Sequence, residues 1–244
     1  MYQKTIRIPL TGWDLSSLFL ELQNVAGEAS AQYHASGDDL AKHGLMWVVV
    51  RYEVRFAQPV LPGDTFCIKT WAMPFRHRMS QRNYHITDKA GNPVITAAGI
   101  WTVVDRNTRK MVDPSVCSLQ IPTEYTEFTV GRPADPEKVK TGLHTDYIVQ
   151  KDDLDTNAHM NNARYFHLAE RQIGASAPEK QIALVRAAYY NEARLGERIG
   201  LSWGCEDDVW YFCGRKDDLD CFEISIRYRQ GGDPKTFDFQ KIKG

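Results

Sequence analysis

The chain has 244 residues, and its share of 43% hydrophobic and 11% aromatic residues is ample for one large or two smaller globular domains. A formal net charge of −1 gives no global reason to expect nucleic acid or an anionic membrane as a partner. Five cysteines without a C-x-x-C pair argue against a disulfide framework and a cysteine-based zinc site, and no apolar run reaches transmembrane length. We therefore expect a soluble, cytoplasmic protein without a metal or other cofactor.

The first half of the chain reads as a strand, a long helix and four further strands. Residues 1–10 alternate like a strand and lack the apolar block of a signal peptide. Asp14 suits the N-cap of a helix that keeps an apolar stripe to about Tyr33. Turns rich in proline and glycine then separate four strands, which we expect over 46–56, 65–73, 79–88 and 94–105.

The same plan follows a second time. Residues 131–141 have the composition of a linker, with two prolines, several charges and little apolar content. A strand, a helix and four strands come next, at about 143–149, from 161 or 162 onward, 182–191, 198–204, 209–215 and 221–229. A helix against an antiparallel sheet, made twice, is an α+β arrangement. We predict two domains, 1–130 and 142–244.

The most informative stretch runs from Asp153 to Tyr165, where acids, amides and a histidine lead into a helical apolar stripe. Asp155, Asn157 and His159 therefore lie on a loop that enters a helix capped by Asn161 or its neighbour. Free N–H groups and the positive end of the helix dipole suit a developing oxyanion at that place. The amides near Asn161 are our candidates for that role.

The two halves differ in these polar groups. Before its helix the first half has Thr11–Asp14, which contains no histidine. The turns 60–64 and 193–197 align through a shared glycine, and this alignment places Pro59 opposite Glu192. One half thus keeps four polar groups that the other lacks: Asp155, Asn157, His159 and Glu192. We interpret this as one active site per chain, with the first half retained for substrate binding and scaffolding.

The run from Asp155 to Tyr165, Asp-x-Asn-x-His-x-Asn-Asn-x-x-Tyr, resembles the signature of hotdog-fold thioesterases and most closely that of acyl-ACP thioesterases. Single-hotdog acyl-CoA thioesterases have near relatives of this run, whereas the tandem arrangement with Glu192 is more specific. In the first half, 47–54, the Pro-Gly-Asp turn and 98–105 before Thr108-Arg-Lys are similar to the same family. The resemblance implies a bacterial-type member with two tandem hotdog domains, since the plastid transit peptide of plant members is not seen.

The resemblance and the residue chemistry together imply hydrolysis of a fatty acyl-ACP thioester, which releases free fatty acid and terminates its synthesis. Glu192 and His159 would activate a water, and Asn157 would hold the thioester or the water. Asp155 would either orient this network or be the nucleophile through an anhydride. Plant members have a cysteine directly after this glutamate, and because Ala193 stands there in this chain, a thiolate nucleophile is not expected.

The resemblance also implies an acyl tunnel and a carrier surface. In this family the first helix and the sheet line the tunnel, so some side chains that are core by default are candidates for acyl contacts: Leu15, Leu18, Phe19, Leu22, Met46 and Trp47. A local basic cluster is either a solvated hairpin or a docking site for acidic acyl carrier protein and its phosphopantetheine phosphate. Its members are Arg76, His77, Arg78 and Arg82.

Several alternatives stay open from the sequence. The chain could be an acyl-CoA thioesterase with the same site, a non-catalytic acyl-binding hotdog protein or a double-hotdog dehydratase. Glu192 argues against a binding module, and a dehydratase needs a different histidine and acid constellation. The run Gly200–Gly204 matches the nucleophile elbow of serine hydrolases, but the β-like sequence after it and the lack of a later histidine argue against that class. Chain length preference and oligomeric state, a homodimer included, are not fixed.

Overall fold

The computed structural model of the chain describes residues 1–113, 119–133, 142–173 and 181–229. Its first half contains β1 (Tyr2–Arg7), α1 (Leu15–Ala31), α2 (Gly37–Ala41), β2 (Leu45–Phe56), β3 (Thr65–Ala72), β4 (Met79–Thr87) and β5 (Pro93–Asp105). Its second half contains β6 (Leu143–Ile148), α3 (Asn162–Ile173), β7 (Ile182–Tyr189), β8 (Arg198–Glu206), β9 (Val209–Lys216) and β10 (Leu219–Tyr228). The predicted plan of a strand, a helix and four strands is confirmed in both halves. The short α2 and a 3-10 turn at Lys151–Asp153 were not predicted.

All ten strands belong to one antiparallel sheet in the order β1-β3-β4-β5-β2-β7-β10-β9-β8-β6. Read from either edge to the centre, each half places its strands in the same sequence order. The halves meet where β2 pairs with β7, with Tyr52 opposite Ala187. The α+β fold of two tandem hotdog units is confirmed, while the domain limits stay a prediction, because 134–141 of the linker lie outside the described residues.

The two long helices pack against each other and against the same face of the sheet. Asp14 caps α1, since its Oδ1 accepts the Ser17 N–H at 2.7 Å. Phe19 of α1 and Phe166 of α3 stack with ring centroids 3.7 Å apart. The apolar stripes at helical spacing on both helices are buried, as predicted, and each large side chain there contributes roughly 1.5–3 kcal/mol. Among the described residues no helix is long and apolar enough to span a membrane.

A buried charge network joins the halves at the centre of the sheet. Glu53 on β2 has no exposed surface and lies opposite Arg186 of β7, whose Nε donates to it at 2.9 Å. Its carboxylate also accepts the Gly131 N–H at 2.7 Å and Nε of Arg55 at 2.6 Å. Because loss of the carboxylate would leave two arginines without their partner, we expect its removal to cost about 3–5 kcal/mol.

Two glycine turns confirm the internal alignment. Gly63 and Gly196 both have left-handed backbones, with φ of 82° and 78°. In each turn the acid after the glycine accepts the N–H of the residue three positions before that acid: Asp64 in the first at 3.0 Å and Glu197 in the second at 2.8 Å. Equivalent turns therefore precede β3 and β8, and the second one places Glu192 beside the loop that enters α3.

Candidate active site

The loop before α3 is six residues longer than the loop before α1. Ile8 and Val149 hold equivalent places, because each accepts the N–H of the glycine in its half's turn, at 3.2 and 3.0 Å. From Ile8 the chain reaches the helix cap Asp14 after six residues, whereas from Val149 it takes 12 residues to reach the cap Asn161. The additional residues form the 3-10 turn and the segment that carries the predicted histidine.

Asp155 shapes this longer loop. Its Oδ1 accepts the N–H groups of Asn157 at 2.8 Å and His159 at 3.3 Å, and its own N–H donates to the His159 carbonyl at 2.8 Å. Ala158 between them has a left-handed backbone with φ of 61°. The aspartate thus bends the segment into a tight turn and presents the Asn157 and His159 side chains together.

His159 and Glu192 come into direct contact. The His159 Nε2 lies 3.0 Å from Oε2 of Glu192. The turn after β7 is held against the loop by the bond from the Met160 N–H to the Ala193 carbonyl, 2.8 Å long. His159 is 7% exposed, so the ring is shielded, whereas Glu192 remains partly open to solvent. Two predicted residues that lie 33 positions apart in sequence are therefore brought together.

The first half adds Arg109 to this pair. Its Nη1 donates to Oε1 of Glu192 at 2.8 Å, and its Nη2 lies 3.2 Å from the His159 Nε2. Burial lowers the pKa of His159 below its usual value, the Glu192 carboxylate raises that pKa, and the Arg109 cation lowers it further. A neutral imidazole can accept from Arg109 or donate to Glu192 through Nε2, depending on its tautomer. The ring is accordingly available as a base at neutral pH.

Arg106, on the same loop after β5, fixes Asn157. Its Nη2 donates to Oδ1 of Asn157 at 2.6 Å, so the amide nitrogen of Asn157 is turned toward Asp155, 3.4 Å away. Neither arginine was assigned a role from the sequence. The one signal was the Thr108-Arg-Lys run in the family resemblance, which contains Arg109. The sequence did not show the contact itself, because the loop after β5 reaches the site only through the pairing of β5, β2 and β7.

A cavity of about 840 Å³ extends from this network along α1 and the sheet. Met46 and Trp47, two of the candidates for acyl contacts, line it. The expectation for the α1 stripe was wrong, because that face is buried in the core between the helices and the sheet: Leu15, Leu18, Phe19 and Leu22. The helix instead lines the cavity with an adjacent face that includes Leu20, Gln23, Asn24 and Gly27.

Asn161 caps α3, since its Oδ1 accepts the Ala163 N–H at 2.9 Å. Its own N–H, however, donates to the Asp153 carbonyl at 2.8 Å. The Asn161 amide itself is therefore not free for an oxyanion, because that donor already holds the loop, and the expectation for the other amides near Asn161 stays a prediction. Oxyanion donors must come from other groups at the site, such as the side-chain amide of Asn157.

The predicted basic cluster is divided. Arg76, His77 and Arg78 lie exposed at the tip of the β3–β4 hairpin, where the last two have left-handed backbones. Arg82 is 8% exposed, lines the cavity and donates from Nη2 to Oγ of Ser30 at 2.9 Å. Its assignment to a docking surface is wrong, because its position on β4 points the side chain toward the helix layer.

Two other chemistries find no support in the described residues. The run Gly200–Gly204 lies inside β8 and is followed by β9, so it does not form a strand-to-helix elbow. No group of three or more histidine, cysteine, aspartate or glutamate residues in the described ranges is arranged to hold a metal ion.

Two family models match the chain: the acyl-ACP thioesterase N-terminal domain over residues 12–118 and the C-terminal domain over residues 136–230. A solved structure of a putative oleoyl thioesterase from Lactobacillus plantarum superposes with a TM-score of 0.82 at 21% identity, covering 95% of this chain and 97% of that one. The 12:0-ACP thioesterase from Umbellularia californica gives 0.78 at 16% identity, covering 93% and 96%. At these identities the two structures establish the fold.

Among curated proteins, a chloroplastic acyl-[acyl-carrier-protein] hydrolase from Cuphea viscosissima is 25% identical over 136 residues, which is 52% of this chain. The match spans 33% of that plant protein's length.

Proposed function

Because the chain belongs to the acyl-ACP thioesterase family, we propose that it hydrolyses the thioester of a fatty acyl-ACP to free fatty acid and the carrier thiol. The observation that carries this proposal is the 3.0 Å contact between His159 and Glu192 in the wall of a long cavity. A shielded neutral imidazole beside a carboxylate can accept a proton from water, and the cavity offers room for an acyl chain.

In the proposed reaction a water lies between His159 and the thioester carbonyl. The water oxygen attacks the carbonyl carbon and its proton passes to the imidazole, while Glu192 stays ionised and stabilises the imidazolium. The tetrahedral intermediate then loses its C–S bond, and the leaving thiolate takes a proton from the imidazolium. Such general base catalysis contributes about 10²- to 10⁴-fold.

We assign the thioester oxygen to the side-chain amide of Asn157. Arg106 fixes its Oδ1, and its Nδ2 has only a long bond of 3.4 Å to Asp155. Asp155 accepts two loop amides, an arrangement that favours an orienting role over attack on the substrate. A nucleophilic carboxylate would need to leave these bonds first.

Arg109 prepares the pair for this chemistry. Its bond to Oε1 of Glu192 fixes the carboxylate, and its charge beside Nε2 favours the neutral form of His159. The first half therefore supplies a positioning residue in the proposed site, in addition to the walls of the cavity.

The partner implied by this function is acyl carrier protein. Arg76 and Arg78 project from the hairpin tip next to Phe75, which lines the cavity, so a carrier docked there would deliver its phosphopantetheine arm to the site. Reversal of both charges to glutamate should weaken turnover of acyl-ACP and spare short free thioesters, in assays of thiol release. Equal loss on both substrates would refute docking at this tip.

The function itself is tested by thiol release from matched acyl-ACP and acyl-CoA series. The proposal requires cleavage of acyl-ACP by the wild type and its collapse in folded His159→Ala and Glu192→Gln variants. Cleavage of acyl-CoA alone would support the proposed thioester hydrolysis and reject acyl carrier protein as the carrier. Binding of acyl chains without release of thiol would reject catalysis.

A further inference from the structure

Arg82 is a feature of the cavity that a plain hydrocarbon chain does not explain. Its guanidinium contacts Ser30 at 2.9 Å, and Ser80 and Trp101 line the cavity beside it. In the ranges that the structure describes, Arg82 forms no ion pair with a carboxylate, although the residue is 8% exposed. A cation thus lies in the wall of the proposed acyl site without a matching anion from the described residues.

Burial of this charge has a cost that the neighbours do not offset. Desolvation lowers the pKa of Arg82. The nearest phenols do not supply a negative charge, because burial raises the pKa of Tyr84 to about 12 and holds the pKa of Tyr52 well above its usual value. A guanidinium has five N–H donors and no acceptor, so a single bond to Ser30 leaves most of its donors for another group. That group must be an acceptor, and an anion satisfies it best.

The fold does not require a cation at this place. Ala72 lies nine residues after Gly63 and pairs with Arg82, and Cys205 lies nine residues after Gly196 and pairs with Trp210. The second half therefore has an indole where the first half has a guanidinium. The charge is present in the half that contributes most of the cavity lining, which links it to the ligand rather than to the architecture.

We propose that Arg82 binds an oxygen-bearing group on the distal part of the acyl chain, a carboxylate or a hydroxyl, so that the preferred substrates are oxygenated acyl thioesters. This inference rests on the proposed thioesterase function. Arg82 pairs with Gly99, Gly99 with Tyr52, and Tyr52 with Ala187 on the strand that leads to Glu192. Three strand spacings, about 14 Å, separate these positions, so the group lies away from the reacting carbonyl.

The polar character of the α1 face fits this assignment. Gln23 and Asn24 line the same cavity, and with Ser30 and Ser80 they surround the path with hydrogen-bonding side chains. A carboxylate would accept two parallel N–H bonds from the guanidinium, and a hydroxyl would accept one.

The test compares thiol release from ACP thioesters of equal length with a plain, an ω-hydroxylated or an ω-carboxylated chain. We expect the wild type to show at least a tenfold higher kcat/KM on one of the oxygenated chains than on the plain chain. Arg82→Met keeps the length of the side chain and removes the charge, and should reverse this preference. Arg227→Met, exposed on β10, is the matched control and should leave the preference unchanged.

A wild type that cleaves the plain chain at least as well as both oxygenated chains would overturn the proposal, whatever the variant does. So would a folded Arg82→Met that loses activity equally on all three. If Arg82→Met does not fold, Ser30→Ala takes its place, because it removes the hydroxyl that holds the guanidinium. Its preference among the three thioesters is then compared with that of the wild type: a smaller preference for the oxygenated chain supports the proposal, and an unchanged one overturns it. If no thioester is cleaved, the proposed function fails, and calorimetry with free mono- and dicarboxylic acids tests Arg82 separately: tighter binding of the diacid supports the proposal, and equal binding rejects it.

Discussion

The loops before α1 and α3 enter equivalent helices from equivalent strands, yet they do different work. The first runs from Ile8 to the capping Asp14 in six residues and only connects. The second takes twelve residues to cover the same span, and the additional residues form a tight turn, held by Asp155, that presents His159. The polar network therefore depends on a local insertion in one copy of a repeated fold, and not on a different arrangement of helix and sheet.

The comparison also shows that the two halves are not strictly divided into a half that carries the site and a half that only binds substrate. In the first half Pro59 stands at the position equivalent to Glu192, so that half lacks the carboxylate. Its Arg106 and Arg109 nevertheless contact Asn157 and Glu192 of the second half. The candidate site is thus assembled from both copies, with the proposed base on one and these two arginines on the other. Substitutions on either side should separate these contributions.

The largest effect should follow from breaking the pair that only the second half possesses. His159→Ala removes the base and Glu192→Gln removes the charge that stabilises the imidazolium, so each should lower kcat by about 10²- to 10⁴-fold. Thiol release at saturating acyl-ACP measures this. His43→Ala and Glu206→Gln are exposed matched controls outside the site. A loss of less than threefold in both site variants would contradict the proposed base.

A second contrast lies at the ends of the helices. Glu170 of α3 stands nine residues after its cap and accepts the Leu15 N–H at the start of α1, at 2.8 Å. The residue nine positions after the cap of α1 is Gln23, which lines the cavity. Burial raises the pKa of Glu170 to about 7, while its unfolded value is 4.5. The carboxyl therefore favours folding when protonated and disfavours it once ionised.

Glu170→Gln installs the residue type of the equivalent position and removes this penalty. Between pH 4.5 and 7 the folded form holds a proton that the unfolded form has lost, so wild-type stability falls as pH rises through this window and levels above it. The variant should be more stable by about 1–3 kcal/mol at pH 8 and nearly unchanged at pH 4.5. Urea unfolding at both pH values measures this, and a variant that is less stable at pH 8 would refute it.

Arg109→Met tests what the first half gives to the second. Without the cation His159 loses an interaction that lowers its pKa, and Glu192 attracts the imidazolium without competition, so the pKa of His159 rises. The acid limb of kcat/KM should then move to higher pH, with a further loss of about tenfold at pH 8 from the misplaced carboxylate. Lys110→Met, its exposed neighbour, should change neither quantity. An acid limb that stays in place would show that Arg109 has only a structural role.

The sequence predicted what local patterns determine. Apolar periodicity and caps located the strands and helices, and one glycine aligned the copies closely enough to single out Glu192. The sequence did not reveal that Arg106 and Arg109 belong to the candidate site, because their approach to Asn157 and Glu192 depends on the pairing of β5 with β2 and of β2 with β7. The face of α1 that lines the cavity was missed for a related reason: the stripe with the clearest periodicity is the one that the core buries. Arg82 was grouped with the exposed cluster because its charge and its closeness in sequence were considered alone. Side chains alternate between the two faces of β4, and this alternation turns Arg82 toward the helix layer.

The finest comparison uses the two glycine turns themselves. Gly63→Ala and Gly196→Ala place a β-carbon on backbones with φ of 82° and 78°, where an L-residue costs about 1–2 kcal/mol. A β-carbon at the first turn would lie 3.4 Å from Cδ2 of Leu10, an ordinary contact, and at the second it would meet no atom within 4 Å. Steric space therefore does not distinguish them, and the two variants should lose nearly the same free energy of unfolding.

Activity should distinguish them. Glu192 lies four residues before Gly196, so a distorted second turn moves the carboxylate against His159, and small displacements of reacting groups reduce rates steeply. We expect about a tenfold lower kcat for Gly196→Ala and an unchanged kcat for Gly63→Ala, each measured at a temperature where both variants are fully folded. Equal stability losses with unequal activity losses would mean that the repeated turn is a structural element in both halves and a positioning element in one. Equal losses of both kinds would instead place the sensitivity of the site in global stability, and the contrast between the loops would no longer account for it.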